Sequence, residues 1–303
     1  MVDIIIVNWN SGDHLRRCIN SVIESVNEID YRIIVVDNNS GDESQMNIPL
    51  RETDTLLSLN KNYGFARACN IGAKASESDF ILFLNPDTVM LPDTLEKAVL
   101  VLASDSSVGI VGVRQESDDR MLLPSCSRFF RLRNLLFDVS GLSKLAPSVF
   151  KPSTLMTDWG HNESKAVDQV MGSFVLIKRS VFNSINGFDE RFFVYFEDMD
   201  LAKRLNKQGL ISFYFNDVSI IHTGCGASES VKDIRLFYSL SSRIKYGRKH
   251  LGKLEALMIL IITIFPEPVS RILYAAFAYR SLKDVLNIAM GYKLFYRWLI
   301  KGK

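Results

Sequence analysis

The chain has 303 residues, 47% of them hydrophobic, and a net charge of +2 at pH 7. That length and composition allow one large domain or two smaller ones with a buried core, and they exclude a disordered chain. The charge is uneven: from Lys232 onward there are 14 Lys and Arg against 4 Asp and Glu. An acidic body argues against a nucleic-acid binder, and a basic, apolar tail points to an anionic surface as its partner.

Ile4 to Val7 reads as a buried strand, and it is too short and lacks the basic start of a signal peptide. Leu15, Cys18, Ile19, Val22 and Ile23 recur at helical spacing, with Ser11 or Asp13 as the expected N-cap. Ile33 to Val36 is a second strand, Leu56 to Leu59 a third, and Phe80 to Leu84 a fourth. A short helix is expected from Phe65 to Ala75, and another from about Pro92 to Leu102 with proline at its start. Strands alternating with helices predict a mostly parallel sheet covered on both faces. Cys18, Cys69, Cys126 and Cys225 show no paired metal spacing and read as reduced thiols.

Each early strand ends in a polar residue: Val7 into Asn8, Val36 into Asp37, Leu59 into Asn60, Leu84 into Asn85-Pro86-Asp87. Parallel strands line these ends along one edge, which is where open α/β sheets bind ligands. Any one of them is equally well a turn residue.

The rhythm is lost from about Gln115 to Ala166. Ser127 to Phe137 is basic and apolar together, as in a helix touching a membrane or a core helix with a charged outer face. Strand character returns from Val170 to Ile177, where Gly172 and Ser173 are small enough for close approach to a ligand. Ile211 to Phe215 and Val218 to Ile221 are further strands, the second ending in His222, a metal ligand or merely a satisfied polar residue.

Residues 228–303 form a tail. Leu254 to Phe265 is apolar but closed by Pro266-Glu267-Pro268, too short for a membrane span of roughly 20 residues. Arg271 to Trp298 mixes aromatic residues, Tyr279 among them, with basic ones. That mixture fits helices lying in a membrane interface, and also a helical subdomain or a dimer contact.

The stretch Asn186 to Leu201 places Glu197, Asp198 and Asp200 after an aromatic run and at the start of a helical pattern that Gly209 stops. Leu201 and Leu205 share one face, and Lys203, Arg204 and Lys207 are expected to stay wet. The acids are either helix caps or groups held ionised by the helix dipole, and an ionised acid there can take a proton from a hydroxyl. With Asp87 as a holder of Mg²⁺ or Mn²⁺ and a second acid across a sugar ring, the set describes displacement at an anomeric carbon.

The chain resembles glycosyltransferase family 2 over roughly Val2 to Gly226. The resemblance rests on Ile6-Val7-Asn8-Trp9-Asn10-Ser11, on Val35 to Asp42, on Asn60 to Gly72, on Leu84 to Thr88, and on Gly187-Phe188-Asp189-Glu190 through Phe196-Glu197-Asp198-Met199-Asp200-Leu201. Within the family it is most similar to rhamnosyltransferase-like bacterial members, in which the basic aromatic segment, here Ser127 to Leu145, is also typical.

The resemblance implies a GT-A nucleotide-sugar fold over 1–227, with a donor half (1–114) and an acceptor half (115–227); the basic, aromatic composition of 228–303 adds a membrane-associating helical extension. The resemblance also implies an inverting transferase that moves a sugar, rhamnose from dTDP-rhamnose, onto a polyprenyl-linked or polysaccharide acceptor at the inner face of the cell membrane. A UDP-sugar donor, an inactive binding module and a homodimer are the alternatives kept open. Asp37 would accept from the nucleotide base, with Asn8 and Asn39 lining that pocket. Asn62, Gly64 and Arg67 would lie near the ribose and diphosphate. Asp87 would hold the metal with His222 as a further ligand, Asp198 would be the base, Glu197 would orient it or the acceptor, and Gly172 and Ser173 would border the acceptor. One departure weakens the metal expectation: the family's metal motif often has an acid where Asn85 stands. A nucleotidyltransferase would want a glycine-rich phosphate loop after the first strand, and Asn8-Trp9-Asn10-Ser11-Gly12 is not one.

Overall fold

The computed structural model describes residues 1–224, 231–277 and 280–302; Cys225, Tyr279 and the expected 227/228 boundary lie outside them. The chain divides into two compact units. One comprises Met1–Arg128, Trp159–Phe193 and Glu197–Ala227, and the other Phe129–Asp158, Val194–Phe196 and Ser228–Lys303.

The first unit is built as expected through its opening half. β1 (Val2–Asn8), α1 (Asp13–Ser25), β2 (Tyr31–Asp37), β3 (Thr55–Ser58), α2 (Phe65–Lys74) and β4 (Phe80–Leu84) alternate, and the four strands pair in parallel in the order β3-β2-β1-β4. Ile4 and Ile6 pack with Leu15, Ile19 and Leu82 on one face, while on the other Gly72 brings α2 against Ile5 and Val36. Gly12, not Ser11 or Asp13, precedes α1; its N–H donates to Asp42, and the Ser11 hydroxyl is taken by Asn8.

The second half is mixed rather than parallel. β5 (Thr88–Met90) is followed by α3 (Thr94–Ser104), which starts two residues later than expected because Asp93 takes a left-handed turn after Pro92. β6 (Val108–Glu116), β7 (Leu122–Leu123) and β8 (Cys126–Ser127) fill part of the stretch whose rhythm is lost in the sequence. After β9 (Lys165–Val167) and β10 (Gln169–Val170), β11 (Phe174–Lys178) inserts antiparallel between β4 and β6. α6 (Arg179–Ser184) and α7 (Glu197–Lys207) lead into β12 (Ile211–His222). This is one long strand, parallel to β6, with a register shift between Phe215 and Ser219 where two strands were expected.

The second unit is helical. α4 (Leu132–Val139) and α5 (Leu142–Leu145) join α8 (Lys232–His250), α9 (Lys253–Ile264), α10 (Pro266–Phe277) and α11 (Leu282–Lys301). Phe130 is core, packed edge-on against Phe196 and Tyr246, so the basic aromatic segment contributes its rings to the interior. Glu267 is buried and bonded to Arg243 and Arg271. Burying one carboxylate is costly unless such partners satisfy it. Glu255, a lone charge in the apolar run from Leu254 to Phe265, accepts through its Oε1 from the Leu132 N–H at the start of α4.

Pro266 does not close the apolar segment as expected, because it occupies the first position of α10, where proline needs no N–H partner. Lys253–Phe277 is therefore long and apolar enough to cross a membrane by length and composition, with a mean hydropathy of 1.8 over its most apolar 18 residues. Its outward residues, Leu254, Leu257, Ile261, Phe265, Val269, Leu273 and Phe277, are exposed.

Candidate active site

Parallel pairing of β1 with β2 sets Asn8 opposite Asp37, and the Asn8 amide donates to Asp37 Oδ1 at 2.8 Å, to Ser44 at 2.8 Å and to Ser40 at 3.1 Å. Asn8 is buried and its carbonyl accepts from Ser11, so it stands behind Asp37 and orients it. Asp37 accepts a second bond from the Ser40 N–H. Asn39 is exposed, in a left-handed turn after the strand.

Asn38, part of the Val35 to Asp42 block but given no role there, ties this edge to the next loop. Its amide donates to Asn62 Oδ1 and the Gly64 carbonyl, and its Oδ1 accepts from the Tyr63 N–H. Gly64 has φ +85°, and a Cβ there would lie 2.4 Å from the Phe193 carbonyl oxygen. Only glycine fits both constraints. Arg67 is exposed, stacked over Tyr63 and 3.6 Å from Glu190.

β4 delivers Asn85 and Asp87. The Asn85 N–H donates to the Ser173 carbonyl, and its own carbonyl accepts from Thr88 and Cys18. Asp87 Oδ1 lies 3.4 Å from His222 Nε2, because β12 pairs with β5 and sets His222 opposite Thr88. Burial works against the charged form of Asp87, but the His222 ring and backbone contacts outweigh it and hold its carboxyl below the usual range. His222 Nδ1 lies 2.9 Å from Gln115 Oε1, and the Gln115 amide donates to Ser173 Oγ. Ser173, expected to border an acceptor, is buried and bonded to Gln115, while Gly172 is partly exposed. Among the described residues no three His, Cys, Asp or Glu side chains form a metal cluster.

The Gly172 N–H donates to Asp198 Oδ2 at 3.2 Å, and the Met199 N–H to Oδ1 at 2.8 Å. The Gln169 side chain adds a third donor. Asp198 and Glu197 open α7 after Tyr195 and Phe196, both held at positive φ. Two consecutive non-glycine residues in that region are strained, a feature that clusters at functional sites.

The helix dipole does not decide the ionisation here. Burial pushes both carboxyls upward, and the Asp198 charge raises Glu197 further, while hydrogen-bond donors partly offset the rise at Asp198. Glu197 is buried with no hydrogen-bond partner for its Oε2 among the described residues, so nothing there offsets the cost of its charge. Asp198 has N–H donors on both oxygens, which favour its charged form against burial. Asp200 is not part of this pair: it is fully buried against Arg204, whose other nitrogens donate to the Ile185 and Gly187 carbonyls. Arg204, expected to stay wet, clamps the chain ahead of α7, whereas Gly209 ends the helix at φ +82° as expected.

The carboxyl-edge donors, the Asp87–His222 pair and Asp198 thus border one β-sheet. The profile of glycosyl transferase family 2 matches residues 3–185. The chain belongs to glycosyl transferase family 2. It is a glycosyltransferase, and the mixed sheet flanked by helices is the GT-A fold of that family. It is 28% identical over 262 residues to rhamnosyltransferase WbbL of Escherichia coli, covering 83% of this chain and 94% of that one. It is 26% identical over 239 residues to N-acetylglucosaminyl-diphospho-decaprenol L-rhamnosyltransferase of Mycobacterium tuberculosis, covering 73% of this chain and 76% of the relative. The solved structure of GalNAc-T7 with UDP, GalNAc and Mn²⁺ shares the fold at TM-score 0.58 and 14% identity. That match covers 82% of this chain but 47% of the longer one, so the chain spans about half of it.

Proposed function

We propose that this glycosyltransferase moves rhamnose from dTDP-rhamnose onto a lipid-linked or polysaccharide acceptor with inversion at the anomeric carbon. The observation that carries the reading is the chain of contacts that links two acidic groups to the Gly172-Ser173 dipeptide. Asp198 is bonded to the first residue, and Asp87 is linked to the second through His222 and Gln115. The rhamnosyl donor and the lipid-linked or cell-surface acceptor are supported by the names of the two relatives.

Asp198 accepts the proton of the attacking hydroxyl, and the donors on Oδ1 and Oδ2 keep its carboxylate available for that transfer. Glu197, neutral behind it, leaves a single negative charge at the pair. Asp37, fixed by Asn8 and Ser40, accepts from the nucleotide base, while Asn38 shapes the Asn62 to Gly64 loop for the ribose and diphosphate. A carboxylate and an imidazole nitrogen facing each other fit a divalent cation, Mg²⁺ or Mn²⁺, whose remaining positions would be filled by phosphate oxygens. When bound, that ion neutralises charge developing on the departing diphosphate.

The second unit serves as a peripheral attachment to the anionic inner face of the cell membrane. The exposed apolar residues of α9 and α10 enter the interface, and the basic excess of the tail meets the lipid headgroups. The buried Glu267 with its two arginines favours a helix pair lying on the surface over a span.

A thermal-shift panel of dTDP-, UDP- and GDP-sugars, each with and without Mn²⁺, tests the donor reading. dTDP-rhamnose with Mn²⁺ gives the largest rise in Tm, since binding to the native state alone stabilises it by mass action. A larger rise with a UDP-sugar replaces the donor, and no rise with any nucleotide sugar contradicts the donor site.

A further inference from the structure

Gln115 is a buried amide in the middle of a sheet, and both of its ends are used. Its Nε2 donates to Ser173 Oγ, which leaves its Oε1 facing His222 Nδ1 at 2.9 Å. A carbonyl oxygen only accepts, so Nδ1 carries the ring proton. In a neutral imidazole the other nitrogen is then bare, and that nitrogen points at Asp87 Oδ1 across 3.4 Å. That pair is satisfied only by something positive between the two atoms: a proton on Nε2 when the site is empty, which is how the ring holds the Asp87 carboxyl low, or a cation in its place.

We propose that Gln115 is a positioning residue that locks His222 in the Nδ1–H tautomer, so that Nε2 and the Asp87 carboxylate together face a divalent cation. The inference rests on reading Asp87 and His222 as the cation site. The strand register accounts for the placement. β6 runs parallel to β12 and sets Gln115 opposite Ile220, two residues from His222, while the amide's other end reaches the turn ahead of β11. Outer groups of this kind fix the orientation and tautomer of a ligating histidine, and their loss costs 10- to 100-fold in metal affinity. The same amide couples the cation side of the site to Ser173, the neighbour of the residue that holds Asp198.

The test uses full-length protein labelled with ¹⁵N, and the His222 signal is identified by its loss in His222→Ala. Long-range ¹H–¹⁵N correlation spectra without metal show the ring protonated at Nδ1 in the wild type. In Gln115→Met the ring moves toward the Nε2–H form, and in Gln115→Glu, which keeps an acceptor oxygen, it stays Nδ1–H. Mn²⁺ binding in the presence of dTDP, followed by the EPR signal of free Mn²⁺, weakens about 10- to 100-fold in Gln115→Met and much less in Gln115→Glu. A wild-type ring protonated at Nε2 and bare at Nδ1 overturns the proposal whether or not any variant folds. Undiminished Mn²⁺ binding in His222→Ala overturns the cation reading and the inference with it. Weakened binding in His222→Ala alone, with Gln115→Met unaffected, overturns the role of Gln115 and leaves the cation reading standing.

Discussion

The N–H of Gly172 donates to Asp198 Oδ2 at 3.2 Å. The next residue, Ser173, accepts from Gln115, whose carbonyl faces His222 and through it Asp87. One dipeptide ahead of β11 thus bonds Asp198 directly and reaches Asp87 through Gln115 and His222. It can do so because β11 is antiparallel to β4, which brings the start of one strand against the end of the other.

Asp198 depends on a donor that the sequence does not advertise. Removing the Gln169 amide takes away a group that favours the carboxylate, so the Asp198 pKa rises further. The pH–rate profile of Gln169→Leu therefore has its acidic limb displaced to higher pH, with activity approaching wild type at alkaline pH. An unmoved limb removes Gln169 from the site.

Glu197 carries a stability prediction with a definite sign. Its carboxyl is raised in the folded chain, first by burial and then by the Asp198 charge. Between the unfolded value near 4.5 and the raised folded value, the native state binds more protons than the unfolded state. Stability from this group is thus present at low pH and falls as pH rises. Glu197→Gln mimics the neutral form, so its Tm declines less than the wild-type Tm between pH 5 and pH 8. Parallel Tm curves contradict the assignment of the proton to Glu197.

Gly64 admits no side chain. In Gly64→Ala the new Cβ meets the Phe193 carbonyl at 2.4 Å in a left-handed backbone, and the Phe65 N–H that bonds the same carbonyl is displaced. Denaturant unfolding of the variant shows a loss of about 2 kcal/mol or more. A loss below about 0.5 kcal/mol, the range of an ordinary surface change, contradicts the close contact.

The first half of the fold was legible because its signals are local. Buried parallel strands read as apolar runs, and the polar residue ending each one fell on the sheet edge that holds Asn8 and Asp37. The second half was less legible because its order is set by long-range pairing: nothing near Phe174 says that β11 runs antiparallel between β4 and β6. Asn38, Gln115 and Gln169 were missed for the same reason. A lone amide in a sequence carries no mark until its partners are placed beside it. Asp200 was grouped with the acidic pair by nearness in the sequence, although the two residues from Asp198 turn its side chain about 200° around the helix, onto Arg204. Pro266 was read as a stop, yet at a first helical position it starts the next helix.

The exposed apolar face of the second unit gives a binding prediction. Leu257→Glu with Ile261→Glu replaces two exposed residues of α9 without touching its buried side. Co-sedimentation with vesicles containing anionic lipid falls by at least tenfold for this variant while its circular dichroism is retained. Unchanged sedimentation places the attachment elsewhere.

The central claim is that Asp198 takes the proton of the incoming hydroxyl while the donor is held by other groups. The direct measurement is donor affinity and turnover in Asp198→Asn, side by side with the wild type. The expected result is donor binding within about threefold of wild type and turnover lowered by 10²- to 10⁴-fold, the range of general-base catalysis. Turnover near the wild-type rate with intact donor binding contradicts the account.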